Sequence, residues 1–221
     1  MDARLNREDV NDPNEWRLRA RGIACERGER RLFSGLDFTL SVGDIVWLRA
    51  ANGFGKTSLL RVIAGLAHPA AGSIEWREPR TSLLYLAHAN ALKDDLTIVE
   101  SLRYLARLHG LESSEATLAD AIRCFGLQSR RHAPVRTLSQ GQRRRVALMR
   151  LCLSPPQATW LLDEPYDALD SEGSVQVGAL LAQHAGRGGC ALFTSHVAPD
   201  IPGVCLQSIQ LDSQPDVRVV A

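Results

Sequence analysis

The sequence predicts one α/β domain with a mainly parallel β-sheet that helices cover on both faces. Short apolar segments typical of strands alternate with segments of helical periodicity, which is the pattern of parallel sheets with helical connections. Polar residues do not interrupt the strand-like segments, as expected of strands buried on both faces. The length of 221 residues, 45% of them hydrophobic, fits one globular domain or one domain with a small insertion, and is too short for two full domains.

The charge balance gives no argument for nucleic acid or an acidic lipid surface as a partner. The chain has 26 Lys and Arg against 25 Asp and Glu, for a net charge of +1. The N-terminus lacks the apolar stretch of a signal peptide, and no run of about 20 apolar residues is long enough to span a bilayer. We therefore expect a cytosolic protein that reaches a membrane only through a partner.

The five cysteines show no metal-binding or disulfide pattern. None of them forms a CxxC pair or the CxxCH spacing of covalent haem attachment. We interpret them as reduced thiols, mostly buried as small hydrophobic residues. They are Cys25, Cys124, Cys152, Cys190 and Cys205.

The N-terminal third predicts a disordered tail followed by strands and one helix. Residues 1–15 are polar, and the folded domain is expected to span 16–221. Alternating apolar residues predict strands over 16–20, 36–40 and 45–48, with turns at Gly28 and at 42–44. A helix is predicted over 58–66, and two more strands over 73–76 and 83–86.

The remainder of the chain predicts an all-helical insert and then a return to strands. From Thr97 to Cys152 apolar residues recur at helical spacing, and Pro155-Pro156 ends the insert. A strand over 160–162, a helix over 174–184 and a strand over 190–193 follow. Two edge strands are expected near 206–211 and 217–220.

A glycine-rich segment between a strand and a helix predicts a phosphate-binding loop. Gly53 and Gly55 permit backbone conformations in which N–H groups point at an anion, and the helix N-terminus adds its dipole. Lys56 supplies positive charge to the β- and γ-phosphates, and Thr57 offers a hydroxyl to Mg²⁺. The candidate phosphate-binding residues are Ala50, Ala51, Asn52, Gly53, Phe54, Gly55, Lys56, Thr57 and Ser58.

The alternative reading of this segment is a glycine turn before a helix. Ala50 also stands where this kind of loop usually begins with glycine, and we expect the small alanine to be tolerated. A dinucleotide-binding fingerprint is excluded, because Ser58 occupies its third glycine position.

Two further segments complete a phosphoryl-transfer site. Asp163 and Glu164 end an apolar strand, where Asp163 suits the Mg²⁺ and Glu164 suits the attacking water. The alternative is an acidic turn before Pro165. Ser139 and the N–H of Gly141 open a helix and make a second anion site, although a plain capping turn accounts for them equally well.

Five segments in this order resemble the ATPase subunits of ABC transporters. The resemblance covers the chain from about residue 18 to 210, through 50–58, 138–142, 160–164, 168–170 and 194–196. It implies a P-loop NTPase core of ABC ATPase type with an antiparallel β subdomain and a helical subdomain at about 92–154. It also implies ATP hydrolysis to ADP and phosphate, with Mg²⁺.

The same resemblance implies that two copies of the subunit close head to tail over two ATP molecules. Ser139, with Gln140, Gly141 and Gln142, would reach the γ-phosphate held by Lys56 of the other copy. His196 would contact the γ-phosphate within its own chain, beside Glu164 and Lys56 as the catalytic set. Asp170 would link the two sites.

Two positions depart from that family pattern. No aromatic residue lies near 25–28 to stack on adenine, and the guanidinium of Arg27 is the nearest planar group. Ala87 stands where the family has the glutamine of its Q-loop, so His88 or Asn90 is the candidate substitute.

Within the family, residues 25–36, 56–61, 138–147 and 163–166 resemble the ATP-binding subunits of cytochrome c biogenesis, also described as haem exporters. This implies a peripheral subunit on the cytoplasmic face of the bacterial inner membrane. Its partners would be the membrane subunits CcmB, CcmC and CcmD and, indirectly, the haem chaperone CcmE. ATP would drive release of the haem-loaded chaperone for c-type cytochrome maturation.

Other functions stay open at this point. The histidines show no cofactor arrangement, so we expect the partners to handle haem. An ABC ATPase for a different transported substrate is one alternative, and a soluble mechanical ATPase acting on DNA or ribosomes is another. The basic run of Arg143, Arg144 and Arg145 is interpreted as a solvated helix face rather than a nucleic-acid site. The histidines are His68, His88, His109, His132, His184 and His196.

Overall fold

The computed structural model describes residues 16–77 and 82–211 and the backbone of 219–220. The predicted tail, 1–15, lies outside the described residues. In the described part, the strands are β1 (Trp16–Arg27), β2 (Arg30–Ser41), β3 (Ile45–Arg49), β4 (Ala71–Trp76), β5 (Leu83–Leu86), β6 (Thr159–Leu162), β7 (Cys190–Thr194), β8 (Gln207–Gln210) and β9 (Val219–Val220). The α-helices are α1 (Lys56–Ile63), α2 (Ile98–Leu108), α3 (Glu115–Cys124), α4 (Gln140–Leu148), α5 (Arg150–Leu153) and α6 (Ser171–Gly186).

The strands form two sheets. A six-stranded sheet has the order β5-β6-β7-β3-β8-β9 and is parallel except for its last pair, β8 and β9. A three-stranded antiparallel sheet has the order β2-β1-β4, with Gly28 in the left-handed turn between β1 and β2. The predicted α/β class and the mainly parallel sheet are confirmed, and so is the antiparallel sheet that the family resemblance implied.

Apolar residues cover both faces of the parallel sheet. Leu161 and Leu192 face one side and pack with α1 and the antiparallel sheet in one core. Trp160 and Phe193 face the other side and pack with α6 and with the helices between 98 and 153 in a second core. All of β6 and β7 is buried, which explains why the strand-like segments carry no surface alternation.

The helix after the glycine-rich loop spans Lys56–Ile63 rather than the predicted 58–66. It begins at Lys56 because Gly55, at φ 96°, is the last residue of the loop and the N-cap of the helix. It ends early because Gly65, at φ 74°, takes the left-handed conformation that closes helices, while the N–H of Leu66 bonds back to the carbonyl of Arg61. The prediction from apolar spacing overran this glycine.

The helical region predicted from Thr97 to Cys152 contains α2, α3, α4 and α5. Thr97 and Glu100 form a reciprocal capping box at the start of α2, and Ser139 and Gln142 form another at the start of α4. The boundary of a separate helical subdomain at about 92–154 stays a prediction. Within the described residues, none of the helices combines the length and the apolar character that a membrane crossing requires.

The topology brings four loops to one edge of the sheet. Strands β5, β6, β7 and β3 are neighbours and run parallel, so their carboxyl ends meet at the same edge. The glycine-rich loop follows β3, and residues 87–91, 163–169 and 195–198 follow β5, β6 and β7. Sites in parallel sheets are built at this edge, so the fold places the predicted catalytic segments together.

The cysteines are all free thiols, but the expectation that most are buried is wrong. Cys25 and Cys190 are buried, while Cys124 and Cys205 are exposed and Cys152 is intermediate. Cys124 ends α3 and Cys152 lies on α5, and the two line one surface cavity. A hydrogen bond from Cys152 lowers the pKa of Cys124 to about 7, and the same contact, with burial, raises the pKa of Cys152.

We predict that Cys124 is the fast-reacting thiol of this chain. Its thiolate forms as the pH rises through about 7, and the thiolate is the reactive species. With iodoacetamide at pH 7.5, alkylation of Cys124, followed by peptide mass spectrometry, should exceed that of exposed Cys205 by about fivefold. Cys152→Ala removes the hydrogen-bond donor and should slow the reaction at Cys124. Equal rates at Cys124 and Cys205 would contradict the prediction.

Candidate active site

The glycine-rich loop forms an anion cradle at the start of α1. Gly53 and Gly55 both have left-handed φ, at 81° and 96°. A Cβ on Gly55 would lie 3.0 Å from the ring of Phe33 and 3.2 Å from Cβ of Leu32, so glycine is required for space as well as for conformation. No side chain caps the N-terminus of α1, which leaves its first-turn N–H groups available to a phosphate.

The lysine of the loop is held at the cradle by two contacts. Lys56 Nζ donates to the carbonyl oxygen of Ala50 at 3.0 Å and lies 3.9 Å from Glu164 Oε1. The contact to residue 50 uses a main-chain atom. The lysine contact is therefore present with alanine in place of the usual first glycine.

Asp163 accepts two hydrogen bonds from opposite sides. Thr57 Oγ1 donates to its Oδ2 at 2.8 Å, and Thr194 Oγ1 donates to its Oδ1 at 2.9 Å. The Asp163 side chain is buried, at the carboxyl end of β6. Thr57 and Asp163 thus supply adjacent oxygen donors of the kind that Mg²⁺ prefers, and phosphate and water oxygens suit its other positions. These residues fit the predicted Mg²⁺ chemistry.

Glu164 is held in a strained conformation with one carboxylate oxygen unused. Its φ is 50°, which is uncommon for a residue with a side chain. Its N–H donates to Thr194 Oγ1 at 2.7 Å, and its carbonyl accepts from Arg144 at 2.7 Å. Its buried Oε1 has no hydrogen-bond partner, although His196 Nε2 lies 3.6 Å away. The site therefore presents a buried acceptor with no protein donor, as a water-activating group requires.

One cavity of about 250 Å³ brings together most of the predicted phosphate, metal and catalytic residues. Arg27, the residue expected to stack on adenine, lines this cavity, and so does His88. Asn90, the other candidate substitute for the Q-loop glutamine, instead accepts a hydrogen bond from Arg144. The lining residues are Arg27, Leu32, Asn52, Gly53, Gly55, Lys56, Thr57, Ser58, His88, Asp163, Glu164 and His196.

Three loop residues from the predicted set do not line this cavity. Ala50 contributes its carbonyl to Lys56, and the N–H of Phe54 closes a turn onto the carbonyl of Ala51. Ala50, Ala51 and Phe54 thus contribute to the conformation of the loop through main-chain hydrogen bonds. The assignment of individual roles to the lining residues stays a prediction.

The residues of the predicted second anion site line a different cavity. Ser139, Gly141, Gln142 and Asp170 lie around a space of about 410 Å³, separate from the phosphate cradle. Ser139 Oγ accepts from the N–H of Gln142, as a helix cap does, and exposed Gln140 is not among the lining residues. Within one chain, the structure does not bring these residues to the cradle.

Asp170 also has a local structural role. Its Oδ1 accepts from the N–H of Gly173 at the start of α6 and pairs with Arg145. These hydrogen bonds and the Arg145 charge lower the pKa of Asp170. The carboxylate is exposed, so these contacts coexist with access from a second molecule.

The interpretation of three arginines as a solvated helix face is wrong. Arg143 is half-buried and pairs with Asp94, and Arg145 pairs with Asp170 and Glu172. Arg144 is buried, with 3% of its surface exposed. The apolar spacing could have indicated the burial of Arg144. This residue precedes Leu148 by four residues and Leu151 by seven, so it lies on the same buried face.

Thr194 is the second functional residue that sequence reasoning missed. It was quoted only as part of a motif, yet it is fully buried and contacts both Asp163 and Glu164. The pairing of neighbouring strands could have indicated the position of Thr194. Phe193 is paired with Leu162, so the residue after Phe193 comes beside the residue after Leu162.

The chain matches known proteins over most of its length. A family model described as "ABC transporter" matches residues 33–167. The cytochrome c biogenesis ATP-binding export protein CcmA of Methylococcus capsulatus is 46% identical over 197 residues, which are 85% of this chain and 95% of the relative. The protein of the same name from Pseudomonas putida strain GB-1 is 47% identical over 188 residues, which are 81% and 89% of the two chains.

A solved structure supports the fold. The chain resembles a putative ABC transporter ATP-binding protein from Pyrococcus furiosus with a TM-score of 0.77 and 20% identity. The similarity covers 88% of this chain and 97% of the other.

We predict that Gly141 is required for close packing against residues 163–169, whereas Gln140 is not. A Cβ on Gly141 would lie 2.7 Å from the carbonyl oxygen of Ala168, whose own φ is 59°. Gly141→Ala should therefore displace that segment and lower steady-state ATP turnover about tenfold or more, with ATP affinity nearly unchanged. Gln140→Ala is the matched control and should lose much less. Equal losses in the two variants would contradict the prediction.

Proposed function

Because the chain belongs to the ABC transporter ATP-binding family, and within it to the cytochrome c biogenesis ATP-binding export proteins, we propose that it hydrolyses ATP to power a membrane complex that handles haem for c-type cytochromes. The single observation that carries this proposal is the placement of Glu164. Its Oε1, which accepts no hydrogen bond from the protein, lies 3.9 Å from Lys56 Nζ and 3.6 Å from His196 Nε2, and Glu164 lines the cavity of the phosphate cradle.

The cradle binds the triphosphate. First-turn N–H groups of α1 and the Lys56 ammonium take the β- and γ-phosphates, and Arg27, which lines the same cavity, stacks on the base. Thr57 and Asp163 would hold Mg²⁺, which would neutralise the charge that develops on the phosphates. Glu164 orients the attacking water and accepts its proton, and His196 of the same chain contacts the γ-phosphate.

The proposed active unit is a homodimer. The cradle and the cavity lined by Ser139 and Gly141 are separate within one chain. A second copy packed head to tail would bring the Ser139 end of its α4 to the γ-phosphate bound by Lys56. Asp170 lines the second cavity, and in the dimer it would link the two ATP sites.

The proposed location is the cytoplasmic face of the bacterial inner membrane. The relatives' name, an ATP-binding export protein of cytochrome c biogenesis, supports membrane partners. We assign these partners as CcmB, CcmC and CcmD, with CcmE as the haem chaperone that the complex releases. We propose that haem itself is carried by these partners.

The names of the relatives favour this role over an ABC ATPase for another substrate. Affinity-tagged chain, solubilised with its membranes, should copurify with CcmB, CcmC and CcmD, and with CcmE that is lost when ATP is added. Mass spectrometry of the eluates reads out the result. Recovery of an unrelated permease in place of these subunits would favour the alternative substrate class and overturn the haem assignment while leaving the ATPase intact.

Glu164→Gln should separate ATP binding from hydrolysis. The amide keeps the shape of the side chain and loses the negative charge that a water-orienting base needs. Hydrolysis should fall by about 10²-fold or more, and an ATP-bound dimer should accumulate in size-exclusion chromatography with light scattering. Lys56→Ala is the contrasting variant: it should lose ATP binding and stay monomeric. Wild-type turnover in Glu164→Gln would remove Glu164 from the mechanism.

A further inference from the structure

Arg144 has a hydrogen-bonding environment unlike that of a surface arginine. Its guanidinium is buried, and its two terminal nitrogens point in different directions. Nη2 donates to the carbonyl oxygens of Asp163 and Glu164, at 2.8 and 2.7 Å. Nη1 donates to the carbonyls of Ala87 and His88, both at 3.2 Å, and to Asn90 Oδ1 at 3.0 Å.

One side chain of α4 therefore joins two loops at the catalytic edge of the sheet. One loop follows β6 and carries the carboxylates of Asp163 and Glu164, and the other, 87–90, follows β5. A guanidinium suits this position because it offers five N–H donors in a fixed plane, whereas an ammonium is a single point that cannot reach both sets of acceptors. Burial lowers the pKa of Arg144, and Asp167, Asp163 and Glu164 act in the opposite direction.

Arg144 contacts the backbone of Glu164, which has an uncommon positive φ. A residue with a side chain at φ 50° is held there by its surroundings. Three hydrogen bonds hold the backbone of Glu164: Thr194 Oγ1 accepts from its N–H, and its carbonyl accepts from Arg144 at 2.7 Å and from the N–H of Asp167 at 3.1 Å. No atom of Arg144 lines the phosphate cavity, so any effect of Arg144 on hydrolysis passes through Glu164 and its neighbours.

We propose that Arg144 is a positioning residue for the catalytic carboxylate, fixing the backbone of Glu164 so that Oε1 faces the cradle and using loop 87–90 as its anchor. This inference rests on the proposed role of Glu164 in ATP hydrolysis. It also gives the loop that lacks the Q-loop glutamine a physical connection to the site, through its carbonyl oxygens.

The test compares Arg144→Gln, Arg144→Lys and the control Arg143→Gln in the full chain assembled with its membrane subunits. Arg143 is the neighbouring arginine on the same helix, and its described ion pair is with Asp94. Each variant is measured for ATP affinity by titration, for kcat by phosphate release and for thermal unfolding. Arg144→Gln should lower kcat about 10- to 100-fold with ATP affinity within about threefold, as expected when a group supporting an active-site residue is removed.

Arg144→Lys keeps the charge and one set of hydrogen bonds, so its kcat should fall between those of the wild type and Arg144→Gln. Arg143→Gln should stay within about twofold of the wild type, because its contact is half-exposed. Where Arg144→Gln gives no cooperative unfolding transition, the kcat of Arg144→Lys decides by the same criterion: a fall at constant ATP affinity supports the proposal, and an unchanged kcat overturns it.

A double-variant cycle separates positioning from general stability. If Arg144 acts through Glu164, adding Arg144→Gln to Glu164→Gln should change the remaining single-turnover rate by less than about twofold. A full additional loss in that background overturns the proposal, as does a parallel fall in kcat and ATP affinity in the single variant. If Glu164→Gln itself turns over normally, the proposed function fails; if it stalls while Arg144→Gln does not, only the role of Arg144 fails.

Discussion

The buried carboxylate of Asp163 is the interaction on which the rest of the site depends. Its two oxygens accept from Thr57 at the start of α1 and from Thr194 at the end of β7. Its N–H donates to Leu86 at the end of β5, and its carbonyl accepts from Arg144 on α4. Asp163, which follows β6, thus makes hydrogen bonds to four other elements: α1, β7, β5 and α4. A buried charge is costly unless it is fully hydrogen-bonded, so these elements hold one arrangement.

The separation of the two cavities is what leads us to propose a head-to-tail dimer as the active unit. Lys56 and Glu164 line the cavity of the cradle, whereas Ser139 and Gly141, at the start of α4, line the other cavity. Arg144 and Arg145 lie next to each other on that helix and contact different segments of the chain. Arg144 reaches the backbone of Glu164, while Arg145 reaches Asp170. Helix α4 therefore contacts both Glu164, the proposed base, and Asp170, which is expected to face a second copy.

Much of the fold was predictable because local and global signals agree. The apolar runs that became β6 and β7 are buried over their whole length, and the glycine-rich loop lies between a strand and a helix as predicted. The errors fall where a single residue overrides the pattern. Gly65 ended α1 before its apolar spacing did. Cys124 and Cys205 proved exposed, because hydrophobic residue type alone does not determine which face a helix end or loop presents.

The sequence by itself determined the class of fold, the cradle and the order of the carboxylates, because these follow from glycine conformations, strand periodicity and residues adjacent along the chain. Only the tertiary structure brought Thr194 and Arg144 into hydrogen-bond contact with Asp163 and Glu164. Their partners lie between 19 and 57 residues away along the chain, and strand register and the burial of one helix face bring them within hydrogen-bond reach. Contacts of that range depend on the packing of the whole domain, which no local pattern in the sequence displays.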